Sequence, residues 1–441
     1  MLTAWITVIA AAASLWSLAP EAPRSLFFGL IVLDPLAQAF RWIALGTIAL
    51  VLLLSAGSRE IDDAWTGETL GLFLFVGVGL MLMAEANHLL MAVVAMELVS
   101  LSSYCLVGLT RDARSAEAAL KYLLFGALCS GVMLFGVSLL YGATGELAFA
   151  MLPRALGALG AAPLTAMTAV LVLLLAGLAF KISMVPFHLW TPDVYEGAPV
   201  PVTALLSVGP KAAGLALLLR ILAAVQPAWA AAAPAMAWLT VLTMTLGNVV
   251  AVAQTNVKRL LAYSTIAQVG YLLIGVVAGG QTGLQAIIVY LTAYLFMNLG
   301  AFACVTAVVG QTGSESIDAF RGLAARAPLV AFCTAVFLLS LAGVPPMVGF
   351  IGKFLLLGSA LQTGHAWLAV AAVVNSAIAL YYYVQIIRAM YLAPAGAAGP
   401  VTPAPSLRIA LALCCVATLG LGLFPGPILD AASRVLGRIP L

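Results

Sequence analysis

Lysine is rare in this chain and is concentrated in its apolar stretches. Five of the 441 residues are lysines, and four of these interrupt long apolar stretches: Lys121, Lys181, Lys211 and Lys353. A charged side chain at the centre of a bilayer costs about 2.5–3.5 kcal/mol, so four such charges indicate a function rather than chance. Arginine is permanently protonated, whereas lysine can lose its proton when it is desolvated or lies near another cation. The choice of lysine therefore predicts a role in carrying protons.

One carboxylate accompanies these lysines. Glu97 is the only acid in the middle of an apolar stretch and lies ten residues after Asn87. Ten residues correspond to about 15 Å along a helix axis, which is near the midplane of a hydrocarbon core about 30 Å thick. Structural ion pairs are the alternative explanation, but one carboxylate cannot neutralise three or four ammonium groups. The pattern favours a proton relay through Glu97, Lys181, Lys211 and Lys353.

Two further residues are weaker candidates for the relay. Lys121 is predicted near a helix end, where its ammonium group can equally reach the interface. His188 follows a Val-Pro pair by two residues, and it either passes protons to the lysines or caps a broken helix. Polar residues at 263–265 and Gln268 are expected to order water between the charged groups, or to hold helices together.

The composition places these residues in membrane helices. Hydrophobic residues make up 64% of the chain and charged residues only 8%, whereas soluble domains carry about 25% charged residues. The mean hydropathy is +1.15. These values exclude a soluble enzyme, a disordered chain and a nucleic-acid-binding protein. The net charge of +3 predicts no polyanionic partner. The predicted fold is an all-α polytopic membrane protein.

Windows of about 20 apolar residues predict thirteen membrane-spanning helices. They lie near residues 1–19, 36–56, 68–84, 87–109, 119–142, 164–185, 200–223, 233–253, 257–278, 284–310, 328–362, 366–391 and 407–424. A signal peptide is the alternative for the first window. That window has no basic start and leads into further membrane helices, which disfavours the alternative.

Two stretches of the chain resemble one another. The segment LAFKISMVPFHLW from Leu178 and the segment LSLAGVPPMVGFIGKF from Leu339 each place a Val-Pro pair in an apolar stretch near a lysine. Pro186 and Pro345 differ by 159 in number, and Asn87 and Asn256, which each precede a predicted span, differ by 169. These offsets predict a repeated unit within the chain.

Each predicted unit holds five spans, at residues 68–223 and 233–391, with residues 1–67 and 392–441 outside the repeats. Because five is odd, the second copy enters the membrane from the opposite side, as in many ion-coupled transporters. Pro186 and the pair Pro345–Pro346 cannot donate backbone hydrogen bonds, so each unit is expected to contain a discontinuous helix. A simple proline kink is the alternative for either site taken alone.

The basic residues in the predicted loops orient the chain. One side collects nine: Arg59, Arg111, Arg114, Lys258, Arg259, Arg321, Arg326, Arg388 and Arg408. The other side collects five: Arg24, Arg154, Arg220, Arg434 and Arg438. The excess predicts a cytoplasmic N-terminus and an external C-terminus.

Cysteine and histidine give no pattern of a redox centre. The six cysteines lie in apolar helices without the repeated short spacing of an iron–sulfur or zinc site, and the three histidines are far apart. We therefore expect no metal and no cofactor in this chain itself.

The run from Gly177 to Pro201, GLAFKISMVPFHLWTPDVYEGAPVP, resembles the signature of subunit N of the bacterial proton-pumping NADH–quinone oxidoreductase, respiratory complex I. Supporting stretches are ANHLLMAVVAMELVSLSSY from Ala86, QTNVKRLLAYSTIAQVGYL from Gln254 and SLAGVPPMVGFIGKF from Ser340. The resemblance covers essentially the whole chain. The element TPDVYEGAP favours subunit N over the sister subunits L and M and over sodium–proton antiporter subunits.

The resemblance implies specific roles for the charged residues. Glu97 and Lys181 would form the glutamate–lysine pair of the family, Lys211 would be its central lysine, and Lys353 its terminal lysine in the second broken helix. Lys121 would match a further family lysine. Bacterial members usually have fourteen helices, and the resemblance implies that the first of them is missing from the thirteen predicted here.

The resemblance also implies a setting. The chain would be a translocase subunit of the respiratory chain in the bacterial inner membrane, beside antiporter-like subunit M and small membrane subunits such as A, J and K. FMN, iron–sulfur clusters and quinone would bind to other subunits. Two other functions remain open at this point: a cation–proton antiporter subunit of the Mrp type, and a membrane scaffold that does not pump.

Overall fold

A computed structural model describes residues 1–17, 22–159, 161–394 and 399–436 of the chain. Within these residues the backbone is almost wholly helical, and ten helices are long and apolar enough to cross a membrane. This confirms the prediction of a helical, polytopic membrane protein.

The first half of the described chain contains nine α-helices. They are α1 (Leu2–Ser17), α2 (Pro35–Ala56), α3 (Thr66–Glu85), α4 (Leu89–Val107), α5 (Ala113–Thr144), α6 (Leu152–Gly157), α7 (Ala161–Ile182), α8 (Trp190–Gly197) and α9 (Val200–Ala224). Aspartates cap two of them: Asp34 accepts the Ala37 N–H at 2.7 Å, and Asp112 accepts the Ser115 N–H at 2.9 Å. Such caps satisfy N–H groups that the first helical turn leaves unpaired.

The second half of the described chain contains nine more. They are α10 (Gln226–Val252), α11 (Val257–Ala278), α12 (Gly280–Thr312), α13 (Leu323–Arg326), α14 (Pro328–Ala342), α15 (Val348–Gln362), α16 (Ala366–Leu392), α17 (Pro405–Leu423) and α18 (Gly426–Leu436). Short 3-10 helices lie at Phe27–Gly29, Asp63–Trp65 and Ile317–Phe320. Every predicted span overlaps a described helix, and the window 328–362 corresponds to α14 and α15 together.

A short hairpin is the exception to the helical prediction. Strands β1 (Arg24–Leu26) and β2 (Ile31–Leu33) pair in antiparallel fashion. Asn87 holds the turn between them, because its N–H donates to the Leu30 carbonyl at 2.9 Å and its side chain donates to the Gly29 carbonyl at 3.1 Å. Strands of three residues are too short to give a recognisable alternating pattern, so the sequence did not predict them.

The two predicted helix breaks are present, between α7 and α8 and between α14 and α15. The residue that follows the first half of each broken helix has a positive φ, +63° at Ser183 and +90° at Gly343. Proline then stops the helix, because it has no N–H and its ring clashes with the preceding turn. The peptide bonds Val185–Pro186 and Pro345–Pro346 are cis.

The breaks share one hydrogen-bond pattern. The N–H of Met184 donates to the carbonyl five residues earlier at 2.8 Å, and the N–H of Val344 does the same at 3.0 Å. Residues 184 and 344 differ by 160, close to the offset of 159 between Pro186 and Pro345.

A second pattern recurs before α4 and α11. Isolated bridges pair His88 with Ala148 and Asn256 with Ser316. Residues 88 and 256, and residues 148 and 316, both differ by 168. The side chains of His88 and Asn256 each cap the helix that follows.

Helices α9, α11 and α12 form the centre of the bundle, where nearly all of their side chains are buried. Outer helices such as α5, α16 and α17 instead expose large apolar side chains, among them Phe135, Val370 and Val416. An apolar outer face suits a hydrocarbon environment, and a central helix that is buried all round needs no polar face. Polar residues on the central helices must therefore find partners inside the protein.

Nine of the basic residues that were predicted in loops lie in described helices, among them Lys258 and Arg220. Lys258 is the second residue of α11, and Arg220 lies near the end of α9. Arg220 donates to both carboxylate oxygens of Asp34, at 2.7 and 2.9 Å, and to the Ala84 carbonyl at 2.6 Å. Arg438 lies outside the described residues. The helices extend further toward both faces than the apolar windows indicated.

We predict that Gly352→Ala lowers the thermal stability of the purified protein. A Cβ at Gly352 would lie only 3.0 Å from the Tyr290 Cα on α12, and overpacking of this kind costs about 1–3 kcal/mol. Gly358 lies on the same helix with nothing within 4 Å of a built Cβ. Gly358→Ala is the matched control and is expected to leave the melting temperature unchanged or raised. Equal effects of the two substitutions would contradict close packing of α15 on α12.

Candidate functional site

Lys211 lies in the middle of α9 and is completely buried. Its ammonium nitrogen has no hydrogen-bond partner among the described residues. Two aromatic rings of α8 face it instead: Nζ lies 4.8 Å from the Trp190 ring centroid and 5.2 Å from that of Tyr195. A cation near an aromatic face is stabilised only modestly, by about 0.5–2 kcal/mol.

Lys181 and Glu97 bind separate serines. The Lys181 ammonium donates to the Ser100 hydroxyl at 2.7 Å, and the Ser130 hydroxyl donates to the Glu97 carboxylate at 2.5 Å. The ion pairs found in the described part of the chain do not include Glu97 with Lys181, so the expected direct pair is open in this conformation. Glu97 and Ser100 are three residues apart on α4 and so occupy one face of it.

Lys353 is bound at the second helix break. Its ammonium group donates to the Ala342 carbonyl at 3.1 Å and to the Ser376 hydroxyl at 3.2 Å, and it lies 4.0 Å from the Tyr271 ring centroid. Ala342 is the last residue of α14, and the carbonyls at a helix end are unpaired and carry partial negative charge. The break therefore creates the acceptor that holds this lysine.

A set of hydrogen-bonded polar side chains surrounds Lys353. The Gln268 amide donates to the Leu341 carbonyl at 3.1 Å and accepts from Tyr290. It also donates to the Tyr383 hydroxyl at 3.4 Å. Ser264 bonds to the same Tyr383 hydroxyl. The predicted residues Ser264, Thr265 and Gln268 are fully buried, whereas Tyr263 is partly exposed.

A second branch reaches Lys353 through α10 and α16. The Ser376 hydroxyl donates to the Tyr271 hydroxyl at 3.4 Å, and the Asn248 amide donates to that hydroxyl at 3.1 Å. Asn248 also donates to Asn375 at 3.1 Å and accepts from Tyr382 at 3.0 Å. None of these residues was predicted from the sequence as part of the site. Their only signal was a polar group inside an apolar stretch, which many residues share.

Polar side chains also lie between Lys211 and this set. The Asn298 amide donates to the Ser207 hydroxyl at 2.6 Å, one turn before Lys211 on α9. The Tyr294 hydroxyl donates to Thr265 at 3.1 Å. Asn298 and Tyr294 both lie on α12, so this helix connects the surroundings of Lys211 with those of Lys353.

The two weaker candidates lie apart from the buried lysines. The Lys121 side chain is 40% exposed and forms ion pairs with Glu117 and Asp193, both at 2.8 Å. Helix α5 begins at Ala113, capped by Asp112, and so extends beyond the predicted span. Lys121 therefore lies among charged residues at the rim of the bundle rather than in its interior. His188 is buried within the first break, and its Nδ1 has no partner among the described residues.

A charged cluster at the rim of the bundle surrounds the segment TPDVYEGAP. This rim cluster consists of Arg114, Asp193, Glu196, Lys258, Arg259 and Glu315. Arg259 pairs with Asp193 at 2.7 Å and with Glu196 at 2.8 Å. Glu315 accepts from Arg114 at 2.6 Å and from Lys258 at 2.8 Å. Burial alone would raise the pKa of Glu315, but Lys258, Arg114 and the Asn256 amide outweigh it and hold that pKa below its usual range. The segment thus supplies the acids that fix α8 to α11.

Lys258 is a buried lysine that the sequence reasoning missed. It is almost completely buried, and it donates to the Ala198 carbonyl at 2.6 Å as well as to Glu315. The polar run around it suggested a loop. Asn256 caps α11 at this point instead, and places Lys258 in its first turn. Within the described residues, no cluster of His, Cys, Asp and Glu could hold a metal ion, and the six cysteines are unpaired.

Comparison with known proteins places this geometry in a family. The family model described as NADH:quinone oxidoreductase/Mrp antiporter, transmembrane, matches residues 86–379. The chain is 45% identical over 439 residues to NADH-quinone oxidoreductase subunit N 2 of Sorangium cellulosum, covering 95% of this chain and 87% of that protein.

Two solved structures have the same fold. A chain of respiratory complex I from Thermus thermophilus with bound aureothin superposes with a TM-score of 0.82 at 37% identity, over 97% of this chain and 93% of that chain. A chain of the Mrp complex from Dietzia superposes with a TM-score of 0.87 at 24% identity, over 99% and 91%. The second likeness concerns the fold alone. The chain belongs to the NADH:quinone oxidoreductase/Mrp antiporter transmembrane family, and within it to the subunit N proteins of NADH-quinone oxidoreductases.

Proposed function

We propose that this chain is a proton-translocating membrane subunit of an NADH–quinone oxidoreductase of the complex I type. The observation that carries the proposal is the completely buried Lys211, whose ammonium nitrogen has no acceptor among the described residues. An ammonium group buried without an acceptor is costly, so such a residue is suited to gaining and losing a proton. Membership of the subunit N group supports the proposal.

The pair Glu97 and Lys181 would control the charge of Lys211. When Lys181 closes on Glu97, the carboxylate compensates its positive charge and Lys211 can take up a proton. When Lys181 returns to Ser100, as in this structure, its uncompensated charge repels the Lys211 ammonium. Opening a pair at 4 Å changes the interaction energy by about 4 kcal/mol at an effective dielectric constant of 20.

The proton that leaves Lys211 would move toward Lys353. Ser207 and Asn298, then Thr265 and Tyr294, provide hydroxyl and amide groups along this direction. Hydroxyl groups can donate and accept together, so they pass protons without a net change of charge. Lys353 would receive the proton from the Gln268 and Tyr271 surroundings and release it to the external side.

The finer architecture is part of the proposal. Thirteen spans would result from the ten long helices together with α1, α7 with α8, and α14 with α15. The recurrence of hydrogen bonds at offsets of 160 and 168 residues supports two inverted five-helix repeats near 68–223 and 233–391. The N-terminus would then be cytoplasmic, the C-terminus external and the membrane the bacterial inner membrane.

The energy for pumping would come from partner subunits. We infer that FMN, iron–sulfur clusters and quinone bind outside this chain, and that its neighbours are antiporter-like subunit M and small membrane subunits such as A, J and K. Moving one charge against a potential of about 150 mV costs about 3.5 kcal/mol. The enzyme activity would thus be that of a translocase, with electron transfer and proton movement in different subunits.

We predict that Lys211→Ala abolishes proton pumping in the assembled complex. Lys211→Arg should also abolish it, since arginine keeps the charge but does not release its proton. Proton uptake by membrane vesicles per NADH oxidised is the measurement, with complex assembly checked by native electrophoresis. Arg321→Ala removes an exposed cation of an i,i+3 pair and serves as the control. A non-pumping scaffold predicts instead that Lys211→Ala pumps normally wherever the complex assembles.

A cation–proton antiporter is the second candidate, and its support is the fold shared with the Mrp complex. The two functions differ in what the isolated chain does. Reconstituted alone in liposomes, the subunit that we propose should not exchange sodium for protons under an imposed sodium gradient. Sodium-dependent acidification or alkalinisation of the lumen, recorded with a pH-sensitive dye and absent from Lys211→Ala liposomes, would favour the antiporter.

A further inference from the structure

Glu60 lies in the loop between α2 and α3 and reaches the beginning of α9. Its Oε2 accepts the Val200 N–H at 2.7 Å, although the two residues are 140 positions apart. The first N–H groups of a helix are unpaired and carry partial positive charge, so a carboxylate is well placed there. Glu60 thus caps the first turn of α9, the helix that carries Lys211.

A polar stripe leads from this point to Lys211. Thr203 and Ser207 are the only hydroxyl or charged residues between Val200 and Lys211 in the sequence, and Lys211 continues their four-residue spacing. Residues four apart on a helix share a face. All three are completely buried, so exposure to solvent does not explain their polarity. Pro210 also lacks the N–H that would bond the carbonyl four residues earlier.

The rim cluster and the stripe share an acceptor. The Lys258 ammonium donates to the Ala198 carbonyl at 2.6 Å. The Thr203 hydroxyl donates to the Tyr195 carbonyl at 3.0 Å and also lies 3.5 Å from the Ala198 carbonyl oxygen. The pKa of Glu60 is raised above its ordinary value, mainly by burial. Lys258, the Val200 N–H and Arg114 oppose that rise, while Glu315 adds to it. Glu60 is therefore a carboxyl that can hold a proton at the edge of the bundle.

The inner end of the stripe contains polar atoms without protein partners. Lys211 Nζ, the Tyr195 hydroxyl and Asn298 Oδ1 are buried and have no hydrogen bond within the described residues. Buried polar groups are satisfied by water where the protein does not satisfy them. Neighbouring groups on the stripe are about 6 Å apart along the axis, a gap that one bridging water spans.

We propose that Glu60 is the proton-uptake group for Lys211, on the face of the bundle that carries the rim cluster. This inference rests on the proposed function of Lys211 as a proton carrier. Glu60 takes a proton from the aqueous side and becomes a neutral carboxylic acid. The proton then passes along Thr203 and Ser207 through bridging water, so that Glu60 returns to a carboxylate as the neutral Lys211 amine becomes an ammonium.

The test is Glu60→Gln in the assembled complex in membrane vesicles. The glutamine oxygen can still accept the Val200 N–H, so the helix start is kept while proton transfer is lost. The rate of NADH-driven proton uptake should fall by about tenfold or more. Glu68→Gln, at an exposed acid in the first turn of α3, is the matched control and should pump normally. Glu60→Asp keeps a titratable group and should retain more of the rate than Glu60→Gln.

The pH dependence has a definite sign. Glu60 must be protonated before it can pass a proton on. Pumping by the native complex should therefore fall as the pH rises through the raised pKa of Glu60, and the pH profile of Glu60→Gln should lack this fall. Thr203→Val should slow pumping. Thr306→Val should not, because this buried threonine makes the same kind of bond to a backbone carbonyl but lies on α12, outside the stripe.

The outcomes separate the two proposals. Normal pumping by Lys211→Ala would overturn the proposed function. Loss of pumping in Lys211→Ala, together with a native pumping rate and pH profile in Glu60→Gln, would overturn only the role of Glu60 in proton uptake. Equal loss in Glu60→Gln and Glu60→Asp, with an unchanged pH profile and normal pumping by Thr203→Val, would mean that Glu60 is only a structural cap.

Discussion

A charge inside an apolar helix bundle must be paired, hydrogen-bonded or given up, and this constraint decides the arrangement of the polar residues here. Lys181 has the Ser100 hydroxyl, and Lys353 has the carbonyl at the end of α14. Lys211, between them in sequence, has aromatic rings but no acceptor among the described residues. All three lysines are buried, and they differ in the hydrogen-bond partners available to their ammonium groups. That difference is what a relay needs.

The two helix breaks share a backbone geometry and differ in chemistry. At the second break, Ala342 and Leu341 present carbonyls to Lys353 and Gln268. At the first break, Ser183 instead bonds to Thr191 at 2.8 Å, and the nearby Trp190 stacks on Tyr122. The same backbone turn therefore lies beside a lysine-binding site at the second break and beside stacked aromatic rings at the first. This asymmetry accounts for the different surroundings of Lys211 and Lys353.

Much of this arrangement was predictable from the sequence, because apolar runs and rare charges are local signals. The spans, both breaks, and the burial of Lys181, Lys211 and Lys353 followed from such signals. The hydrogen-bond partners of these lysines could not be predicted, since nothing local distinguishes Ser100 or Ser376 from any other serine in a helix. Lys258 was predicted in a loop because its neighbours are polar, and only the cap at Asn256 shows that it begins a helix.

The central claim is that Lys211 changes its protonation state during turnover. Only five lysines are present in the chain, so lysine labelled with nitrogen-15 in this subunit alone gives an interpretable infrared signal. We expect the difference spectrum between resting and turning-over complex to contain an isotope-sensitive ammonium band that disappears in Lys211→Met. A difference spectrum without isotope-sensitive lysine bands, recorded from a complex that pumps at its normal rate, would contradict the account.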